Sequence, residues 1–107
     1  MVSYQLVDGV SHVSITGEMT IYSAAEMKAP LLEAVQAAPS VEVDLSQVEE
    51  LDTAGLQLLV LLKKHPPKGT RVAFINHSQV VIDVIELMNL AGTFNDPLVL
   101  SGQSQAS

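Results

Sequence analysis

The sequence predicts one mixed α/β domain, with a sheet of four to five strands, an N-terminal hairpin, and then helices alternating with strands. Three observations carry this. Two apolar-alternating stretches meet at Asp8-Gly9, a dipeptide suited to a tight hairpin turn. After them, stretches of helical period alternate with short β-branched stretches, the pattern of parallel strands joined by crossover helices. The chain has 107 residues, 48% of them apolar, enough for a single core and too few for a second domain.

Ser3 to Val7 and Val10 to Thr16 form the hairpin, with Val13 and Ile15 alternating against Ser14 and Thr16. Ser23-Ala24-Ala25-Glu26 is a capping box and opens the first helix. Met27, Leu31, Val35 and Ala38 fall on one stripe of it, while Glu26, Glu33 and Gln36 lie away from that stripe. Pro30 either kinks this helix or marks a late start, and Pro39 ends it. Val41 to Leu45 reads as a short strand. A helix follows from about Thr53 to Lys64, closed by Pro66-Pro67-Lys68-Gly69. Thr70 to Ile75, almost continuously apolar from Val72, fits a central strand covered on both faces. Ser78 is placed to cap a third helix with Val81, Val84, Ile85 and Met88 on one side and Asp83, Glu86 and Asn89 on the other. Gly92 ends that helix, and Leu98 to Leu100 adds a short edge strand. The domain is expected over 1–100, with a small, polar and disordered tail over 101–107.

Cysteine is absent, which removes disulfides, thiol nucleophiles and thiolate metal sites. The net charge of −7 disfavours nucleic acid and anionic lipid and favours basic protein surfaces. Met1 to Gln5 lacks the pattern of a signal peptide, and Leu58 to Leu62 is far too short to span a bilayer. A cytoplasmic protein without direct membrane insertion is expected. His12, His65 and His77 are scattered and lack metal-ligand spacing. There is no phosphate-binding glycine loop, nucleophile elbow or kinase signature, so neither enzyme chemistry nor a cofactor or metal is expected.

One constellation stands apart, at the junction from Leu45 through Asp52-Thr53-Ala54-Gly55-Leu56. Asp52 or Thr53 can cap the helix there. Gly55 in its first turn is either incidental or admits the close approach of another group, since glycine costs about 1 kcal/mol against alanine in a helix interior. A hydroxyl at a helix N-terminus also stands where free N–H groups and the helix dipole favour an anion. A phosphate on Thr53 would add about 1.5 to 2 negative charges beside Glu49, Glu50 and Asp52 and so repel a docked partner. Leu56 and Leu58 to Leu62 cover more than half of the helix circumference, leaving only Gln57, Lys63 and Lys64 polar. Neighbouring helices or a partner must cover that surplus.

At these residues the chain resembles the STAS family, which includes anti-sigma factor antagonists and domains of transporters. The likeness spans nearly the whole chain and is sharpest at Val43-Asp44-Leu45-Ser46 and Leu51-Asp52-Thr53-Ala54-Gly55-Leu56, which look like the signature D-L-S…D-[ST]-x-G-L. Ser78 to Phe94 is similar to the family's third helix and its exit. The resemblance implies a partner switch in which a kinase that is also an anti-sigma factor binds the antagonist and phosphorylates it, and a phosphatase restores it. Thr53 would be the phosphoacceptor. Asp52, Thr53, Ala54, Gly55, Gln57, Glu50, Thr20 and Ser78 would form the partner-binding surface on a monomer or weak dimer. Thr53 stands where antagonists more often carry Ser, and Thr20 where many carry Asp; no last helix is legible after Phe94. A threonine acceptor is also similar to STAS subunits of lipid-transport ATP-binding cassette systems, where the domain binds the transporter ATPase. Stand-alone relatives also accompany chemotaxis signalling components.

Overall fold

The computed structural model describes residues 1–88. Strands β1 (Val2–Val7), β2 (Val10–Met19), β3 (Ser40–Leu51) and β4 (Arg71–Ile75) alternate with helices α1 (Ala24–Gln36), α2 (Thr53–Lys64) and α3 (Gln79–Leu87) after the opening hairpin. The strands lie in the order β1-β2-β3-β4, with β1 antiparallel to β2 and both other pairings parallel. Asp8 and Gly9 both have positive φ, 51° and 79°, as the mirror-image hairpin turn requires. The expected fold class stands.

The parallel register sets Ser11, Val41 and Val72 abreast, and likewise Val13, Val43 and Phe74. All six are buried on the face that α1 and α2 cover. Ser11 is the polar member, and its hydroxyl donates to the Ala34 carbonyl at 2.8 Å. The opposite face is polar, and there His12 Nδ1 lies 3.2 Å from Glu42 Oε1.

Several elements depart from expectation, each for a local reason. Ser23 forms no capping box: it has helical φ and ψ and makes no side-chain cap bond to α1. Its hydroxyl instead donates to the Glu18 carbonyl at 2.6 Å and accepts from Thr20 N–H at 3.0 Å, which closes the β2–α1 loop. Helix α1 starts at Ala24 and continues through Pro30, so the proline marks no late start. Its buried stripe is Met27, Leu31, Ala34 and Val35, and Ala38 lies beyond its end.

Strand β3 runs on to Leu51 and β2 to Met19, well past Leu45 and Thr16, because register shifts after Ser14 and after Gly17 break the alternation without ending the pairing. Among the described residues β4 is an edge strand with alternating burial, so the central strand covered on both faces is corrected: β2 and β3 are the interior strands, and helices cover only one face of the sheet. Ser78 does cap α3, accepting from Val81 N–H at 3.4 Å. Met88 is 52% exposed, and Ile82 is buried in its stead. Asn89, Gly92, the strand over Leu98 to Leu100 and the tail over 101–107 lie outside the described residues.

Candidate functional site

Asp52 organises the site. Its backbone is extended, and one carboxylate oxygen accepts from Ala54 N–H at 2.9 Å and Gly55 N–H at 3.3 Å, which caps α2. The other oxygen accepts from Ile21 N–H at 2.9 Å, across to the β2–α1 loop. The same residue's N–H donates to the Met19 carbonyl at 3.2 Å. One residue therefore fastens the end of β2, the loop after it and the start of α2.

These bonds stabilise the charged carboxylate. The Ile21 N–H is the largest influence holding Asp52 below the usual carboxylate range, against an opposing desolvation, with Gly55 and Ala54 N–H adding to it. A second consequence follows for anions. Two of the first N–H groups of α2 are already taken by Asp52, so a phosphate on Thr53 meets a carboxylate there.

Gly55 fits beneath this knot because it lacks a side chain. A Cβ there would run into the Met19 carbonyl oxygen and approach Met19 Cβ to 2.6 Å. Close approach, the second of the two accounts of this glycine, is the one the packing requires. The earlier motif residue Asp44 works at the opposite flank. It accepts from Ser46 N–H at 2.8 Å and from Asn76 Nδ2 at 3.2 Å, while the Leu45 carbonyl accepts from Ser78 N–H at 3.3 Å. Asp44 and Leu45 thus tie the sheet to the start of α3.

Thr53 is exposed at the first position of α2 and heads an apolar groove of about 360 Å³ with Leu56, Gln57, Val60, Leu61 and Lys64. Gln57 and Leu61 also line a second groove of about 260 Å³ against Ala24, Ala25 and Lys28 of α1. Thr53, Gln57 and Leu61, four residues apart, therefore form a ridge between two hollows. Part of the apolar surplus of α2 is consumed by the core through Leu56, Leu58, Leu59 and Leu62; Leu61 remains 38% exposed.

On the other side of Asp52 lies a cleft of about 510 Å³ lined by Glu18, Thr20, Tyr22, Glu49, Glu50 and Asp52. Glu50 is exposed on its wall, whereas Thr20 is 7% exposed and accepts from Tyr22 N–H at 3.3 Å. Ala54 is half-buried, Gly55 is buried, and Ser78 is half-buried as the cap of α3. The structure thus gathers Asp52, Thr53, Ala54, Gly55 and Gln57 at one end of α2, sets Glu50 and Thr20 in the adjoining cleft, and places Ser78 at another helix.

Sequence reasoning passed over Ile21 and Tyr22, which are 69% and 90% exposed on the loop Asp52 holds. Two large apolar residues between a strand and a helix belong to neither period, and that was the available signal. Among the described residues no helix is long and apolar enough to cross a membrane, and no group of three or more potential ligands could hold a metal ion.

The family model described as Mlab, STAS domain, matches residues 2–100. No curated protein matches the chain by sequence. Among solved structures, an anti-sigma factor antagonist from Mycobacterium paratuberculosis is 27% identical at a TM-score of 0.78, covering 96% of this chain and 86% of that one. The antagonist SpoIIAA in its unphosphorylated form is 17% identical at a TM-score of 0.67, covering 92% of this chain and 89% of that one. The phosphorylated form of the Bacillus cell fate determinant SpoIIAA is 15% identical at 0.63, covering 92% of each chain.

Proposed function

The chain belongs to the STAS domain family, and on that premise we propose that it is a phosphorylation-sensitive protein-binding module of the anti-sigma factor antagonist type, with Thr53 as the switch. The observation that carries this is Asp52. It presents an exposed hydroxyl on one side and holds the apolar pair Ile21 and Tyr22 on the other. A basic partner that is both kinase and anti-sigma factor docks on the Thr53–Gln57–Leu61 ridge, the Ile21–Tyr22 loop and the carboxylates of the cleft. Phosphorylation sets new negative charge beside Asp52, where no free backbone donor of Ala54 or Gly55 receives it, and the partner leaves; a phosphatase resets the surface. Ala54, Gly55 and Thr20 shape this surface from beneath, and Ser78 joins it from the start of α3. The exchange takes place in the cytoplasm.

Paired pulldowns from native lysate with wild type, Thr53→Ala and Thr53→Glu test it. Wild type and Thr53→Ala are expected to retain a kinase-like ATPase, with Thr53→Glu binding it about tenfold more weakly or worse. Equal binding of all partners by the three baits defeats the switch. A second reading, a subunit of an ATP-binding cassette lipid-transport system, is favoured by the place of Thr53 at the head of an apolar groove. Recovery of a transporter ATPase and permease with all three baits decides for that reading.

A further inference from the structure

We propose that β1 is a self-association edge, through which two copies pair as antiparallel strands about a two-fold axis at Tyr4. Among the described residues β1 is an edge of the sheet, and its pairing with β2 runs without a register shift from Val2 to Val7. The phase of that ladder is fixed at both ends. The two-residue turn makes Val7 and Val10 a hydrogen-bonded pair, and Thr16 N–H donates to the Met1 carbonyl at 2.8 Å. Odd-numbered residues therefore spend their backbone groups on β2, and those of Val2, Tyr4 and Leu6 point outward.

Natural edges are guarded by lysine, proline, inward charge or bulges. Val2 to Val7 carries no charged residue and no proline, in a chain of net charge −7. Its side chains are unusually apolar for their exposure, at 38% for Tyr4, 55% for Leu6 and 44% for Val7. Along this strand two such acidic molecules can approach without setting carboxylate against carboxylate.

The outward groups are self-complementary. Centring the axis on Tyr4 pairs Tyr4 with its own copy and Val2 with Leu6 of the second copy, in both directions, so every outward donor and acceptor of the three residues is used. The same register stacks ring beside ring and Leu6 beside Val2 on the helix-covered side of the sheet. Asp8 of each copy falls at opposite ends of the ribbon. Six residues at about 3.4 Å each give an edge of only about 20 Å, and a single ribbon of that length buries less than the ~1,200 Å² of stable specific interfaces, so the dimer is weak and concentration-dependent.

Sedimentation equilibrium of the full chain from micromolar to millimolar concentration is expected to show reversible dimerisation, and Tyr4→Lys, which sets two ammonium groups face to face, to weaken it by about tenfold or more. The absence of native cysteine allows a second readout that is independent of that variant's folding. Directly opposed positions of a hydrogen-bonded antiparallel pair lie about 5.5 Å apart, within disulfide reach, so Tyr4→Cys should crosslink to a dimer under mild oxidation. Gln57→Cys on α2 should remain monomeric. A chain that stays monomeric at millimolar concentration, a dimer indifferent to Tyr4→Lys, or equal crosslinking by the two cysteine variants overturns the proposal.

Discussion

A methyl group at position 55 would meet the Met19 carbonyl oxygen and lie 2.6 Å from Met19 Cβ. Elsewhere in a helix, replacing glycine by alanine gains about 1 kcal/mol. Here the first turn must back away from β2 and release the Asp52 N–H from its acceptor, so Gly55→Ala is expected to lose about 2 kcal/mol or more in urea unfolding. Gained stability would show that the contact relaxes freely. Asp52 supplies a pH-dependent counterpart. Its carboxyl titrates lower in the fold than in the unfolded chain, so the stability it adds is present above the ordinary carboxylate range and lost as pH falls through the folded value. Asp52→Asn should therefore melt lower at neutral pH and lose less on acidification below about pH 4. Melting curves that stay parallel to wild type across that range contradict the assignment.

Helix α1 keeps a proline at its seventh position, between the buried Met27 and Leu31. Pro30 is itself exposed, and it lacks the N–H that its turn calls for. Pro30→Ala is expected to raise stability by about 1 to 3 kcal/mol, read from the denaturation midpoint, with no change in partner binding. The elements differ in how far sequence disclosed them. Helix α2 was legible to the residue, because Asp52 is a strong cap and the proline pair beyond Lys64 stops continuation. Strand β3 was half legible. Its second half, Ser46 to Leu51, reads as loop because Asp44 folds back onto Ser46 and the register shift moves the buried positions off the simple alternation. The bond from Ser23 to Glu18 was invisible to pattern, since a serine before a helix satisfies the same sequence rule whether it caps or staples. At the candidate site, Asp52 and Thr53 stand out by their place at a helix start, whereas Thr20 enters only through the family resemblance. Tyr22 and Ile21 do not stand out, because a loop residue acquires meaning only from what it is fastened to.

Taken whole, the molecule carries net charge −7 and offers apolar hollows beside carboxylates. Under the proposed function, charge would govern the rate of encounter with a basic partner, and the α2 ridge how long the partner stays. Association should slow by about tenfold or more between low and physiological salt in stopped-flow mixing, with dissociation nearly unchanged. A flat salt response would assign the encounter to the apolar surface alone. The bond from Ile21 to Asp52 has a further consequence, because it joins positions 31 residues apart in the chain. A partner that reads Tyr22 together with Thr53 reads a conformational epitope. A nascent or damaged chain displays the same hydroxyl without that neighbour, so under the proposed switch only molecules that have finished folding would be read.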